Sequence, residues 1–243
     1  MTGILSTKSS FVFDAPVRIV LQARSSSIRL PRKVLLNVGG LPLAALCALR
    51  LSNTGLPVTV ATSIESSDDE LVAAIPDGIA VCRGSLDDVL ARFLLATSDL
   101  GPDAIVVRAT ADNPLPDGHF VFEVVRQLVR RQSDFVGIDF SNSGAPYGLS
   151  CEAFRISSLR KRATDGYSRF EAEHVTPHLR ESSSAVFLGS TDLGIKHSGE
   201  LRCTIDTHSD FLRLGRIFEG ISDPTRVGYQ ELLALLSQQH GCV

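Results

Sequence analysis

The chain has 243 residues, with 24 lysines and arginines set against 27 aspartates and glutamates, for a formal net charge of −3. Its 44% hydrophobic and 21% charged content is ordinary for a globular enzyme, and the length suits one large α/β domain or two small ones. The slight acidity excludes a general nucleic-acid binder, which would carry a basic excess over the whole domain.

Residues 1–15 read as a disordered N-terminal tail ahead of a domain spanning 16–243, and the first ten lack the long apolar core of a secretory signal. The apolar run Val17–Leu21 predicts a buried first strand. Directly after it, Gln22–Lys33 reads Q-A-R-S-S-S-I-R-L-P-R-K, with four cations (Arg24, Arg29, Arg32, Lys33) and three consecutive serines. No acid occurs between Asp14 and Glu65. Guanidinium groups fork onto phosphate oxygens and lysine adds a point charge. Pro31 fixes the backbone before Arg32 and Lys33, limiting the entropy lost on ordering the loop. Such a loop suits a polyphosphate; the plain alternative is a solvated loop with chance cations. The loop contains neither G-x-x-x-x-G-K-[ST] nor G-x-G-x-x-G, so neither a P-loop nor a dinucleotide fingerprint is present.

The apolar segment Val34–Leu49 falls short of the ~20 residues a membrane span needs and carries Gly39-Gly40 and Pro42, so it reads as a buried turn and helix. Further strands are expected at Val58–Ala61, Ile79–Cys82 and Ala104–Val107, alternating with helices at Leu43–Leu51, Asp68–Ile75, Leu86–Thr97 and Gly118–Arg131. Ser85 is the expected N-cap of the third helix, with Asp87 and Asp88 in its first turn. This alternation implies a mostly parallel sheet with helices on both faces and a ligand beyond the carboxyl ends of the strands. After Arg131 the rhythm changes. Strands are expected at Phe135–Phe140, Leu149–Ile156, Ala185–Leu188 and Leu201–Ile205, then helices at Phe211–Phe218 and Tyr229–Leu236. With no internal repeat and no linker, the expectation is one domain with a mixed sheet and an inserted strand–helix lobe.

Five scattered cysteines (Cys47, Cys82, Cys151, Cys203, Cys242) form no C-x-x-C pair and are read as reduced core thiols of a cytoplasmic protein. Asp112 follows the fourth strand and Asp206 ends the late strand candidate. Two such carboxylates could hold Mg²⁺ shared with substrate phosphates; equally, Asp112 could start a turn before Pro114 and Asp206 could cap the following helix. His174 and His178 have the spacing of two zinc ligands on one helix, but Pro177 between them places His174 outside the helix that carries His178.

These segments together resemble the cytidylyltransferases of the SpsF (spore-coat polysaccharide biosynthesis) type, relatives of the CMP-sialic acid and CMP-Kdo synthetases. The family hallmark is close to Q-A-R-x-x-S-x-R-L-P-x-K, matched here by Gln22, Ala23, Arg24, Ser27, Arg29, Leu30, Pro31 and Lys33. Further matches follow in order: Val60-Ala61-Thr62-Ser63, Arg83-Gly84-Ser85, Asp88-Val89-Leu90-Ala91-Arg92, Arg108 with Asp112-Asn113-Pro114-Leu115, Tyr147-Gly148-Leu149, Glu173-His174-Val175-Thr176-Pro177, and Leu201-Arg202 with Thr204-Ile205-Asp206-Thr207. The resemblance implies a nucleotide-diphospho-sugar-transferase-like (GT-A/Rossmann-like) fold. It also implies CMP transfer from CTP to an acidic acceptor, a phosphonate or a sugar acid, with Mg²⁺ as cofactor and a homodimeric assembly. By the same resemblance Arg24, Arg29 and Lys33 hold the triphosphate, with Arg29 and Lys33 catalytic. Ala23, Ser63, Arg83, Gly84 and Ser85 line the nucleoside pocket. Asp112 and Asp206 carry the metal, and Arg108, Glu152, Glu173 and His174 face the acceptor. Ser150 stands where relatives tend to have an acid, which makes the cleft less repulsive to an anion. Two other classes fit the same architecture. A metal-dependent glycosyltransferase would more often show an Asp-x-Asp pair, absent from Arg108–Pro116. A non-catalytic nucleotide-binding protein would keep the phosphate loop without the metal pair.

Overall fold

The computed structural model describes residues 13–141, 143–196 and 198–240. Most of the expected N-terminal tail, His197 and Cys242 therefore lie outside the described residues. The strands are β1 (Val17–Gln22), β2 (Asn37–Val38), β3 (Leu41–Pro42), β4 (Val58–Ser63), β5 (Ala80–Gly84), β6 (Ile105–Thr110), β7 (Phe135–Ile138), β8 (Glu152–Arg155) and β9 (Ala185–Leu188). The helices are α1 (Leu43–Ser52), α2 (Asp69–Ala73), α3 (Val89–Ala96), α4 (Gly118–Arg130), α5 (Ile156–Asp165), α6 (Arg169–His174), α7 (Pro177–Arg180), α8 (His208–Glu219) and α9 (Tyr229–His240).

Seven strands form one mixed sheet in the order β5-β4-β1-β6-β8-β7-β9, and β2 with β3 forms a separate small ribbon. The four strands expected from the N-terminal half run parallel, while β8 lies antiparallel between β6 and β7. Strand alternation splits the apolar side chains between two cores. Ile19, Leu21, Val58, Val60, Ile105 and Val107 pack in one core with α1, α4, α8 and α9. Val20, Ala61 and Val106 face the other, with α3 and α5. Both faces are covered, which is why these strands read as unbroken apolar runs.

Three local expectations are corrected. Helix α3 starts at Val89: the Asp88 carboxylate caps it by accepting from the Ala91 N–H at 2.8 Å, while Ser85 Oγ accepts from the Asp88 N–H one turn earlier. The run Leu201–Ile205 is not a strand of the sheet. Its backbone bonds go to loops instead, Tyr147 N–H to the Leu201 carbonyl, Cys203 N–H to the Tyr147 carbonyl, and Ile205 N–H to the Asp112 carbonyl. Gly148, at φ +91, permits this close approach, since a Cβ there would sit 2.5 Å from Thr204 Cγ2. Finally, α5 and α6 were not expected. Helix α5 buries only Ile156 and Leu159, too sparse a stripe to read, but α6 carries a capping box, Ser168 with Glu171, at the spacing that announces a helix start.

Candidate active site

Strand β1 ends at Gln22 and the chain turns at once into the cationic loop. The buried Asp68 organises that turn. Its carboxylate accepts from the Ser25 N–H at 2.7 Å, from Thr62 Oγ1 at 3.0 Å, and from both the N–H (3.2 Å) and Oγ (2.5 Å) of Ser63. Burial pushes the Asp68 carboxyl up, but the bonds from Ser63, Ser25 and Thr62 outweigh it and hold the group below its ordinary value. The Ser25 carbonyl in turn accepts from the N–H groups of Ser27 and Arg32, folding the loop back on itself. Arg32 adopts the left-handed conformation (φ 58), uncommon for a residue with a Cβ, just before the short 3₁₀ turn Lys33–Leu35. Its guanidinium pairs with Glu70 at the surface.

The loop and the end of β6 line a cavity of about 700 Å³ that contains Arg24, Arg29, Lys33, Thr110 and Asp112. Lys33 Nζ lies 2.8 Å from Asp112 Oδ2 and 3.0 Å from Asp206 Oδ1, and Arg29 donates to the same Asp206 oxygen at 2.9 Å. Two acids far apart in sequence thus meet on one ammonium. The Ile205 N–H to Asp112 carbonyl bond (2.8 Å) fixes the two chain segments side by side. Asp206 is not the helix cap: Thr207 caps α8 in a capping box with Asp210, leaving the Asp206 carboxylate to the site. Thr110 Oγ1 donates to Asp112 Oδ1 at 2.7 Å and so orients it. Arg24, half-buried in the cavity wall, makes no hydrogen bond or ion pair among the described residues. Among the described residues no cluster of three or more histidines, cysteines or acids gathers anywhere. A pair of carboxylates already holding a cation between them is a donor set that suits Mg²⁺, which prefers one or two carboxylates together with waters and substrate phosphates.

Comparison with known proteins shows which family the chain belongs to. The profile described as "Cytidylyltransferase" matches residues 18–218. The chain belongs to the cytidylyltransferase family. It is 27% identical over 236 residues to the spore coat polysaccharide biosynthesis protein SpsF of Bacillus subtilis, covering 91% of this chain and 94% of that protein. It is 28% identical over 177 residues to a 3-deoxy-manno-octulosonate cytidylyltransferase of Dichelobacter nodosus (69% and 67%). The solved structure of a cytidylyltransferase from Leptospira borgpetersenii superposes with a TM-score of 0.82 at 26% identity, covering 93% of this chain and 96% of that one. The family carries nucleotidyl transfer and uses CTP, and the fold is that of the nucleotidyltransferases.

The remaining predicted positions of this cytidylyltransferase separate into two groups. Ala23, Ser63, Arg83, Gly84 and Ser85 all lie at the carboxyl ends of β1, β4 and β5 or just beyond. Ser63 Oγ is committed to Asp68, and Arg83 bonds the carbonyls of Ser63 and Glu65 and pairs with Asp69. Arg108 and Glu152 face each other in the β6–β8 ladder and pair at 3.1 Å. Glu173 and His174, by contrast, are exposed on α6 and line neither the main cavity nor the smaller one beside Arg108; His174 rests against the Phe170 ring. His178 sits on the separate helix α7, so the two histidines do not share a helix.

Sequence reasoning assigned no role to four neighbours of the site, Asn113 entering only as a letter of a quoted motif. Asp68 lies in an ordinary polar run, and Thr110 has no motif of its own. Asn113 Nδ2 donates to both Thr110 Oγ1 and Ser150 Oγ, which places Ser150 at the site rather than in the core. Arg180, at the end of α7, reaches Glu152 across the chain. Burial raises the thiols of Cys47, Cys82, Cys151 and Cys203, the last to about 12, so none is poised as a nucleophile.

Proposed function

We propose that this chain transfers CMP from CTP to a small anionic acceptor, a sugar acid or a phosphonate, releasing pyrophosphate, with Mg²⁺ held by Asp112 and Asp206. The observation that carries the reading is the Lys33 ammonium seated between those two acids at the foot of the cationic loop. It supports a site built for alternating positive and negative charge, as a triphosphate chain with its cation requires. In this reading Arg24, Arg29 and Lys33 hold the triphosphate, and Arg24, which has no partner among the described residues, is free to meet it. An acceptor oxygen attacks the α-phosphorus in line; the new O–P bond forms as the bond to pyrophosphate breaks. Arg29 and Lys33 take up the charge that grows on the departing pyrophosphate, so positioning and preorganised charge do most of the catalytic task. Mg²⁺, when bound, supplies further neutralisation of the phosphate oxygens. Ala23, Ser63, Arg83, Gly84 and Ser85 frame the nucleoside end.

The test is incubation with CTP and Mg²⁺ against panels of sugar acids and phosphonates, scored by pyrophosphate release. Arg29→Ala and Lys33→Ala are expected to lower turnover by roughly a hundredfold, in the range of losing one preorganised donor to a developing anion, and to weaken CTP binding. Cleavage of a nucleotide-sugar without pyrophosphate release would instead identify a glycosyltransferase. The assembly is proposed to be a cytoplasmic homodimer, to be checked by sedimentation; the four described cysteines are all free, as a reducing compartment would have them.

A further inference from the structure

Next to the large cavity lies a smaller one, of about 50 Å³, walled by Arg108, Thr110, Ser150, Glu152, Arg180 and Phe187. It shares Thr110 with the main cavity, and Arg108 also donates to Gln22, another residue of the main cavity wall. The small cavity is therefore one side chain away from Asp112. Its floor is the buried Glu152 carboxylate, which accepts from Arg108, from Thr176 Oγ1 at 2.8 Å and from Arg180. Burial pushes Glu152 up, but Arg108, Arg180 and Thr176 more than offset it, so the group is held as a carboxylate. Two guanidinium groups thus share one negative charge, leaving a net positive charge at the cavity. Arg108 Nε is buried with no hydrogen-bond partner, and Arg180 is half exposed with Glu152 as its only partner among the described residues. A buried donor without a partner calls for an explanation, and an anion at this cavity supplies one. Opposite, position 150 offers a neutral hydroxyl rather than an acid.

We infer that Arg180, together with Arg108, binds the acid group of the acceptor, and that Glu152 is a positioning residue that holds the two guanidinium groups in place for it. The inference rests on the cytidylyl-transfer reading above. A space of this size admits the head of a carboxylate or phosphonate and not a whole sugar, so the rest of the acceptor extends toward the large cavity. A guanidinium presents a fixed fork of donors that fits either anion.

The experiment measures wild type, Arg180→Ala and Arg180→Lys, with CTP binding followed calorimetrically in the absence of acceptor and KM for the acceptor followed by pyrophosphate release. The acceptor that wild type uses best is compared with an analogue of lower charge that keeps the attacking oxygen, the amide of a sugar acid or the monomethyl ester of a phosphonate, which shows which acid supplies the anion. Arg180→Ala is expected to raise the acceptor KM roughly ten- to a hundredfold, the range for losing a hydrogen bond to a charged group, with CTP affinity changed less than about twofold. Arg180→Lys should fall between, keeping the charge and losing the fork. The analogue of lower charge should discriminate less between wild type and Arg180→Ala. An unchanged acceptor KM in both variants, or CTP affinity falling as much as acceptor affinity, overturns the inference while leaving cytidylyl transfer intact. A wild type that binds CTP but releases pyrophosphate with no acid overturns the transfer reading itself.

Discussion

Asp68 touches neither cation nor expected metal ligand, yet four donors converge on it from two segments of the chain. Three of these come from the end of β4 and one from the cationic loop, so its charge sets where the loop leaves the sheet. Replacing it by Asn keeps the shape but turns a donor toward donors and removes the charge that strengthens those bonds, worth roughly 1.5–3 kcal/mol each way. Asp68→Asn is therefore expected to lower the melting temperature and to weaken CTP binding about tenfold, since the loop loses its anchor. Calorimetric titration with CTP on the folded variant checks this. A variant that melts earlier but binds CTP as wild type does would show that Asp68 supports only the core. Ser63 meets the same anchor from the other side: it stands at the proposed nucleoside end with its hydroxyl bonded to Asp68.

Helix α6 is tied to α5 by one carboxylate. Glu171 takes the Arg162 guanidinium in a two-point pair at 2.6 and 2.8 Å and closes the capping box with Ser168. The Arg162 hydrogen bond and those from Ser168 hold the Glu171 carboxyl down at about 2, from an ordinary value near 4.5. A group depressed in the folded state stabilises fully above its ordinary value and loses that contribution as pH falls through its folded one. The gap in melting temperature between wild type and Glu171→Gln should hence be constant above about pH 5.5 and shrink steadily between pH 4.5 and 2. Melting curves across that range test it; a gap independent of pH would show that the pair adds nothing. The clasp also explains what could and could not be read ahead of the structure. Strands β1, β4 and β6 are buried on both faces or nearly so, and their apolar runs gave themselves away, while β5, exposed or half-buried along its length at the sheet edge, kept a short apolar run of its own. Beyond Arg131 the apolar strands β7 and β9 and the long helices α8 and α9 were still legible, whereas α5 and α6 are held by side-chain pairs such as Arg162–Glu171, which leave no periodic trace. The Leu201–Ile205 run looks like a strand because it is buried, but burial among loops writes the same letters. The carboxylates and cations of the main cavity were readable because a motif carried them, while Asp68, Thr110 and Arg180 sit in segments whose chemistry depends on who arrives from elsewhere.

Across the molecule, the site depends on bringing residues near 30, 110 and 206 to one edge of the sheet. Arg50 helps to fix that arrangement from the opposite side of α1. Its guanidinium is fully buried and donates to the carbonyls of Pro224, Val227 and Leu115, with Asp117 at 4.0 Å. Burial lowers its pKa, with Asp117 acting in the opposite direction. One side chain thereby joins the segment leading into α4 to the segment leading into α9. Arg50→Met would leave these carbonyls and Asp117 without their cation, a class of change that costs about 3–5 kcal/mol. Thermal or denaturant unfolding should show that loss, with KM values for both substrates little altered at temperatures where the variant remains folded. A variant as stable as wild type would mean that water replaces the guanidinium. Among the described residues no helix is long and apolar enough to cross a membrane.

Lys33 has a consequence for order of arrival. With its ammonium between Asp112 and Asp206, the protein carries its own counter-ion, and a free divalent cation must compete with a tethered one for the same oxygens. A polyphosphate changes that competition, because it offers the ammonium a better partner and brings the metal with it. Under the proposed reading, Mg²⁺ alone should leave the wild-type melting temperature nearly unchanged, and Mg²⁺ with CTP should raise it. In Lys33→Met the two acids would keep only Arg29, on Asp206, against their combined charge, so Mg²⁺ alone should stabilise that variant by several degrees, by mass action on the folded state. The same amine that bridges the two acids would then also keep the site from filling in the wrong sequence.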